Sequence, residues 1–362
     1  VSIVMPVLVI NCGSTSVKAT VIDPDSGQRS SQLRIERLGT VDAQATIDDQ
    51  SPQPSPSSHA DAIHRFLPAL IEATSGEIGA VGHRVVHGGQ QFTQPVMLDD
   101  QVVQQLEATV PLAPLHNPAN LAGIRSAREL LSDTPHVAVF DTAFHSTIPR
   151  RASTYALPTD LAAEHGIRRY GFHGTSHQFV SNRVAEYLSE YISNLRIITC
   201  HLGGGCSVCA VENGRSIETS MGMTPLEGLL MGSRSGDLDP AIVLQLMRSK
   251  NMSVDDIDTL LNKRSVLAGL SGVGSDFRDI EQQAGEGNDR CRTAIKVFCH
   301  RVRKYVGAYA AVMGGVDAIA FTGGIGQNSA IVRHHVTQRL EFLGARLDEL
   351  RNREAVVTTE AP

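Results

Sequence analysis

Several short stretches of this chain gather the residue types that handle phosphate. NCGSTSVK (11–18) joins two strand-like runs through a polar turn and offers Asn11, Ser14, Thr15 and Ser16 as donors. Lys18 falls on the same strand face as Ser16 by the two-residue period. HLGGGCS (201–207) sets Gly203, Gly204 and Gly205 in a row between two further strand-like runs. Three ordered glycines are costly, so a ligand that needs bare backbone is expected, and phosphate oxygens fit. TGGIGQNS (322–329) reads as a strand, a Gly-rich loop and a helix beginning at about Ser329, with its dipole facing the loop. GHRVVHGG (82–89) and MGSRSGDLDP (231–240) each hold an arginine, Arg84 and Arg234, in a glycine-flanked turn. Planar guanidinium groups suit bidentate capture of carboxylate and phosphate. Asp141 closes VAVFD at the C-terminal end of a strand, where α/β proteins place ligands.

Each of these stretches also has a plainer reading. NCGSTSVK alone is a well-made β-turn, and either arginine alone suits a surface or structural place. Taken together they point to phosphoryl transfer, which needs positioning and charge neutralisation more than covalent chemistry. No G-x-S-x-G is present, and the serines lack an obvious base partner. His173 and His177 in GFHGTSH stand at i, i+4, but no Glu intervenes as in the zinc-protease pattern, so hydrogen-bonding histidines are favoured over metal ligands. Cys206-Ser-Val-Cys209 has no second ligand pair at matching spacing and reads as plain strand cysteines.

The elements that must position these groups follow from pattern. The 362 residues exceed one comfortable core, so two domains are expected, at 1–147 and 148–362. Composition is 41% hydrophobic and 19% charged, and a net charge of −6 argues against a nucleic-acid surface. No run approaches membrane-spanning length, and VSIVMPVLVI lacks a basic signal region, with Met5 a candidate start. Six cysteines without a signal suit free cytosolic thiols, so a cytoplasmic protein is expected. Strands alternate with helices, as in an α/β protein, with helices expected near 62–73, 99–109, 117–131, 240–250, 254–262, 276–284 and 288–313. GTSHQFVSNRVAEYLSEY reads as an amphipathic helix capped by Thr175 or Ser176. Asn213-Gly214 reads as a hairpin turn. SVKA (16–19) and SVCA (207–210) echo each other, each after a strand and a Gly-containing turn, which suggests a duplicated architecture with a cleft between its halves.

In order along the chain, NCGSTSVK, GHRVVHGG, PLHNPAN, VFDTAFH, YGFHGTSH, HLGGGCS, ETSMGMTPLEGLLMGSRSGDLDPA, SDFRDI and FTGGIGQN resemble the motifs of acetate kinases. The resemblance covers most of the chain. It implies duplicated RNase H-like domains of the sugar kinase/Hsp70/actin superfamily, with nucleotide held in a cleft between them. It implies reversible in-line phosphoryl transfer from ATP to acetate, with Mg²⁺, in a homodimer. Carried over, Asn11 holds magnesium and Lys18, with Ser14 and Ser16, contacts ATP. Arg84 binds the carboxylate and the phosphoryl group, Asp141 is the essential acid, and His173 and Arg234 stabilise the transition state. His201, Leu202, Gly203, Gly204 and Gly205 cradle the β- and γ-phosphates, and Asp276, Phe277 and Arg278 contact adenosine. Gly324, Ile325, Gly326, Gln327 and Asn328 close over the α-phosphate and ribose. Val86, Leu115, His116, Phe172 and Pro225 line the substrate pocket. The match departs at Gly204, where Asn is usual, and at Gln327, where Glu is common. It also departs at the end, where VVTTEAP stands in place of a strand bearing a magnesium-binding Glu, and Glu360 does not map onto that ligand. A propionate or other short-chain carboxylate kinase is the alternative, followed by a non-catalytic nucleotide-binding protein on the same fold.

Overall fold

The opening VLVINCG alternates buried and open positions, the pattern of a strand with one face on a core, and it forms the centre of the first sheet. A computed structural model describes residues 5–74, 78–264 and 267–355. The chain divides into two compact units, one running to Ala143 and the other from Phe144.

The first unit comprises β1 (Val7–Gly13), β2 (Ser16–Ile22), β3 (Arg29–Glu36), β4 (Gln44–Ile47), β5 (Gln53–Pro54), α1 (His59–Ala73), β6 (Ala80–Val85), β7 (Val96–Met97), α2 (Asp100–Glu107), α3 (Asn117–Leu130) and β8 (His136–Phe140). Its sheet has the order β5-β4-β3-β2-β1-β6-β8-β7. β2 runs antiparallel to β1, whereas β6 runs parallel to it. Leu8, Ile10, Val17, Ala19, Leu33 and Ile35 pack with Ile63, Leu67 and Leu70 of α1 to make the core. Burying each such side chain is worth roughly 1.5–3 kcal/mol. α3 lies close against β1 because Gly123 has no Cβ to meet the Cys12 sulfur.

The second unit comprises α4 (Arg150–Ser153), α5 (Thr159–Glu164), α6 (Gly174–Leu188), β9 (Arg196–Leu202), β10 (Cys206–Glu212), β11 (Arg215–Thr219), α7 (Pro240–Lys250), α8 (Val254–Lys263), α9 (Leu267–Ser271), α10 (Phe277–Gly285), α11 (Asp289–Val312), β12 (Ala318–Thr322), α12 (Gly323–Asn328), α13 (Ala330–Thr337) and α14 (Glu349–Glu354). Its sheet order is β11-β10-β9-β12, with β10 antiparallel and β12 parallel to β9. That repeats the β3-β2-β1-β6 arrangement of the first unit, so the fold is a duplicated α/β one of the actin-like type, and the SVKA/SVCA echo marks the equivalent second strands. Asn213 and Gly214 take φ of 53° and 75°, the left-handed pair that a two-residue hairpin loop requires.

Two local expectations are corrected. α6 begins at Gly174, not after a Thr175 or Ser176 cap; His173 occupies the cap position in a left-handed conformation with φ 57°. The glycine-rich 323–328 stretch is itself a helical turn, α12, and Ser329 caps the separate α13 by accepting the Val332 N–H at 3.0 Å. Glycine composition hides such a turn from propensity reasoning. No described helix is long and apolar enough to cross a membrane.

Candidate functional site

In the first unit, strand register builds a row. Asn11 on β1 stands opposite Lys18 on β2 and opposite Arg84 on β6, so the three side chains share one face of the sheet. Arg84 donates from Nε to Asp141 Oδ1 at 2.9 Å and from Nη2 to Oδ2 at 2.5 Å, a bidentate fork. Its Nη1 donates to Asn11 Oδ1 at 3.0 Å. The Asp141 carboxylate is almost fully buried, at 1% exposure, while a third of the Arg84 side chain reaches solvent. The neighbouring carboxylate raises the Arg84 pKa further.

The end of β6 is fixed by residues that motif reading did not assign. Asn120 accepts the Val86 N–H at 3.0 Å and donates to the Cys12 carbonyl at 2.6 Å. Asn117 accepts the His87 N–H at 3.1 Å and donates to its carbonyl at 2.9 Å. Two asparagines buried on one helix face, in PLHNPAN, are the signal that could have found them, because a buried amide must be paired. Ser14 occupies the β1–β2 turn, and Ser16 and Lys18 follow on β2. Val86 is buried and Leu115 half exposed.

In the second unit, the left-handed backbone at His173 turns its imidazole onto the β9–β10 turn. A Cβ placed on Gly205 would lie 3.2 Å from His173 Nε2 and 3.9 Å from Arg234 Nη1, so histidine and arginine converge on bare backbone. His173 Nδ1 is 2.8 Å from Ser207 Oγ, and its ring stands 4.3 Å from that of His201. His201 Nδ1 in turn meets Ser176 Oγ at 2.8 Å. Arg234 differs from Arg84. Among the described residues its hydrogen-bond partner is the Met231 sulfur at 3.7 Å, and burial lowers its pKa. A desolvated guanidinium without a carboxylate is a receptor for an anion.

The stretch carrying Arg234 is clamped by a network the sequence did not expose. Arg169 donates to the carbonyls of Thr219 and Met221 at 3.0 Å and to Glu227 Oε1 at 2.6 Å. Tyr155 bonds the other Glu227 oxygen and accepts the Met223 N–H at 3.0 Å. Asp237 accepts from the Gly228 N–H at 2.8 Å and from the Tyr305 hydroxyl at 2.6 Å. Glu227 and Asp237, acids inside a Gly-, Leu- and Met-rich stretch, were the available clue, since such acids require partners. Pro225 lies in the same stretch, partly buried, and Phe172 is fully buried.

A cavity of about 640 Å³ opens beside the Gly turn. Gly203 and Gly204 form one wall; Asp276, Phe277 and Arg278 at the start of α10 form another; Gly324, Ile325 and Asn328 of α12 form a third. His201, Leu202, Gly205, Gly326 and Gln327 are not among its lining residues, and Leu202 is wholly buried. A Cβ on Gly204 would meet nothing within 4 Å, so glycine there leaves space that a larger residue could fill. Arg278 closes a fork onto Asp276 at 3.1 and 2.7 Å, which holds that carboxyl below its usual range. Glu281 and Ser329 also line the cavity, unforeseen from sequence; the serine hydroxyl donates to Glu281 Oε1 at 2.5 Å, and burial raises the Glu281 pKa.

All six cysteines are buried and free. Cys206 and Cys209 lie on β10 with thiols pushed up to about 12 by burial, which is the chemistry of packing and not of metal binding. Among the described residues no group of three or more His, Cys, Asp or Glu could hold a metal by itself. Asn11 Oδ1 and the Asp141 carboxylate nonetheless meet at one guanidinium, and hard oxygen donors of this kind suit a magnesium ion. Glu360 lies outside the described residues.

The sequence model of the Acetokinase family matches residues 6–361. The acetate kinase of Clostridium novyi is 50% identical over 96% of this chain and 90% of its own length. That of Carboxydothermus hydrogenoformans is 47% identical over 98% and 93%. Among solved structures, Porphyromonas gingivalis acetate kinase superposes with a TM-score of 0.91 at 43% identity, covering 96% of this chain and 90% of that one. A propionate kinase from Francisella tularensis gives 0.92 at 40% identity, covering 97% and 91%.

Proposed function

Because the chain belongs to the acetokinase family, we infer that it is an acetate kinase, moving the γ-phosphoryl group of ATP to acetate and back. An acetate oxygen forms the new bond to phosphorus while the bond to the bridging oxygen of ADP breaks, in line. Acetate is already ionised at neutral pH, so no general base is needed. The obstacle is the approach of two anions. Arg84 holds the carboxylate, with Asp141 and Asn11 fixing its fork. Arg234 and His173 neutralise the oxygens of the migrating group over Gly205. Asn11, with the Asp141 carboxylate beside it, would hold Mg²⁺, which would neutralise charge on the nucleotide phosphates. The cavity beside Gly203 and Gly204 takes the adenosine, and Lys18, Ser14 and Ser16 are assigned to ATP binding. Residues 1–147 then serve the carboxylate and 148–362 the nucleotide. Val86, Leu115, Phe172 and Pro225 surround the methyl group, and His116 binds the substrate beside them.

The observation that carries this reading is Arg234, a desolvated guanidinium without a carboxylate partner among the described residues, directed with His173 at a glycine backbone. We assign the enzyme to the cytoplasm as a homodimer; the second unit exposes Phe179, Tyr187, Leu188 and Tyr191 on and just after α6, apolar surface of the kind subunits cover. Hydroxamate trapping of the acyl phosphate formed from ATP with acetate, propionate or butyrate is the test. Turnover fastest with acetate is expected. A larger kcat/KM for propionate replaces the substrate, and ATP binding without any acyl phosphate overturns the activity.

A further inference from the structure

His173 does not stand alone. On its Nδ1 side, Ser207 Oγ also lies 2.7 Å from His177 Nε2, and His177 Nδ1 lies 2.7 Å from Thr199 Oγ1. Thr199, Ser207 and His177 are all completely buried. We propose that Thr199, His177 and Ser207 form a one-way hydrogen-bond chain that fixes His173 as its neutral Nε2–H tautomer and presents that N–H to the migrating phosphoryl oxygens. The inference rests on the reading of this site as a phosphoryl-transfer centre.

Counting hydrogens sets the direction. Ser207 has one proton for two imidazoles, so it donates to one and accepts from the other. If it donated to His177, His177 would donate from Nδ1 to Thr199. The Thr199 hydroxyl proton would then lack an acceptor, because among the described residues the partner of that hydroxyl is His177 Nδ1. A buried unsatisfied donor is costly. In the opposite sense every proton is used: Thr199 donates to His177 Nδ1, His177 Nε2–H to Ser207, and Ser207 to His173 Nδ1. The proton of His173 is thereby placed on Nε2, the atom turned toward Gly205.

The neighbours oppose a charged ring. An imidazolium at His173 would donate from Nδ1 and reverse the whole chain. Arg234 Nη1 lies on the same glycine and adds like charge, and the His201 ring stands 4.3 Å away, tilted by 32°. Burial keeps His177 itself neutral, helped by His145 and His201. His145 is set in the same manner, with Nε2 at 2.9 Å from the Phe172 carbonyl and Nδ1 at 2.8 Å from Ser216 Oγ. His177, Ser207 and Thr199 are thus positioning residues, acting through His173.

The experiment is long-range ¹H–¹⁵N correlation on histidine-labelled protein at pH 7.5, with His173 assigned by loss of its signals in His173→Gln. Wild type should show His173 and His177 as Nε2–H tautomers. Thr199→Val keeps shape but removes the first donor; it should mix the tautomers at both rings and lower kcat about three- to tenfold, with KM for ATP and acetate changed less than about twofold. Thr199→Ser keeps the hydroxyl and should match wild type in both readouts, the reverse of what a packing role gives. A wild-type His173 found as imidazolium or Nδ1–H overturns the chain, and that spectrum decides even if Thr199→Val does not fold. So does a folded Thr199→Val with unchanged tautomers and kcat. If wild type forms no acyl phosphate, the activity reading fails while the spectra still decide the chain.

Discussion

Arg84 and Arg234 bear the same charge in opposite circumstances, and the difference assigns their work. Arg84 is locked by Asp141 and Asn11, whereas Arg234 has a thioether. Arg234→Ala should therefore lower kcat about a thousandfold, as losing an arginine finger does, with little change in the urea midpoint. A loss under tenfold would remove Arg234 from the chemistry. The buried histidines make stability depend on pH. His83, bonded to His136 at 2.9 Å, has its pKa pushed down to about 3, first by burial and then by the charges of His136 and Arg128. Above pH 6.5 this histidine is neutral both folded and unfolded, so stability is complete. Below that, the unfolded chain binds a proton that the folded chain refuses, and stability falls toward pH 3 by up to about 1.4 kcal/mol per pH unit. The pKa of His136 is lowered in the same direction. Urea melts at pH 7.5 and 5.0 should show the loss, and a shallower loss in His83→Gln; identical pH slopes in the two proteins would rule it out.

Elements, more than residues, decided what pattern reading could find. The Asn213-Gly214 hairpin was legible because its backbone conformation demands those residues. The start of α6 was not, because a left-handed histidine leaves no mark in composition. α12 reads as a loop in sequence because its glycines argue against a helix, while its position is set by close packing. Gly323 has φ 76°, and a Cβ there would lie 2.5 Å from the Leu202 carbonyl oxygen. Gly323→Ala must therefore push α12 off β9 and distort the cavity wall that Gly324 and Ile325 provide. The KM for ATP should rise about tenfold while that for acetate holds. Equal changes in both constants would show that α12 does not serve the nucleotide specifically.

At the scale of the whole molecule, each unit has its own sheet and its own buried core, and the cavity beside Gly203 and Gly204 is lined by described residues of the second. In calorimetry, ADP at a hundred times its Kd should stabilise that unit by about 2.7 kcal/mol, seen as a rise in its melting temperature. A thermogram unmoved by ADP would mean the cavity is not a nucleotide site. The sequence by itself determined the turns, the glycines and the charged residues at them, along with the strand–turn–strand duplication, because those needs are local and backbone-level. Only the tertiary structure decided partners. It joined Arg84 to Asp141 across 57 residues, set Ser207 between two histidines, and left Arg234 with a sulfur. Pairing is decided by strand register and helix placement, which bring together side chains distant in sequence, and no local pattern records them.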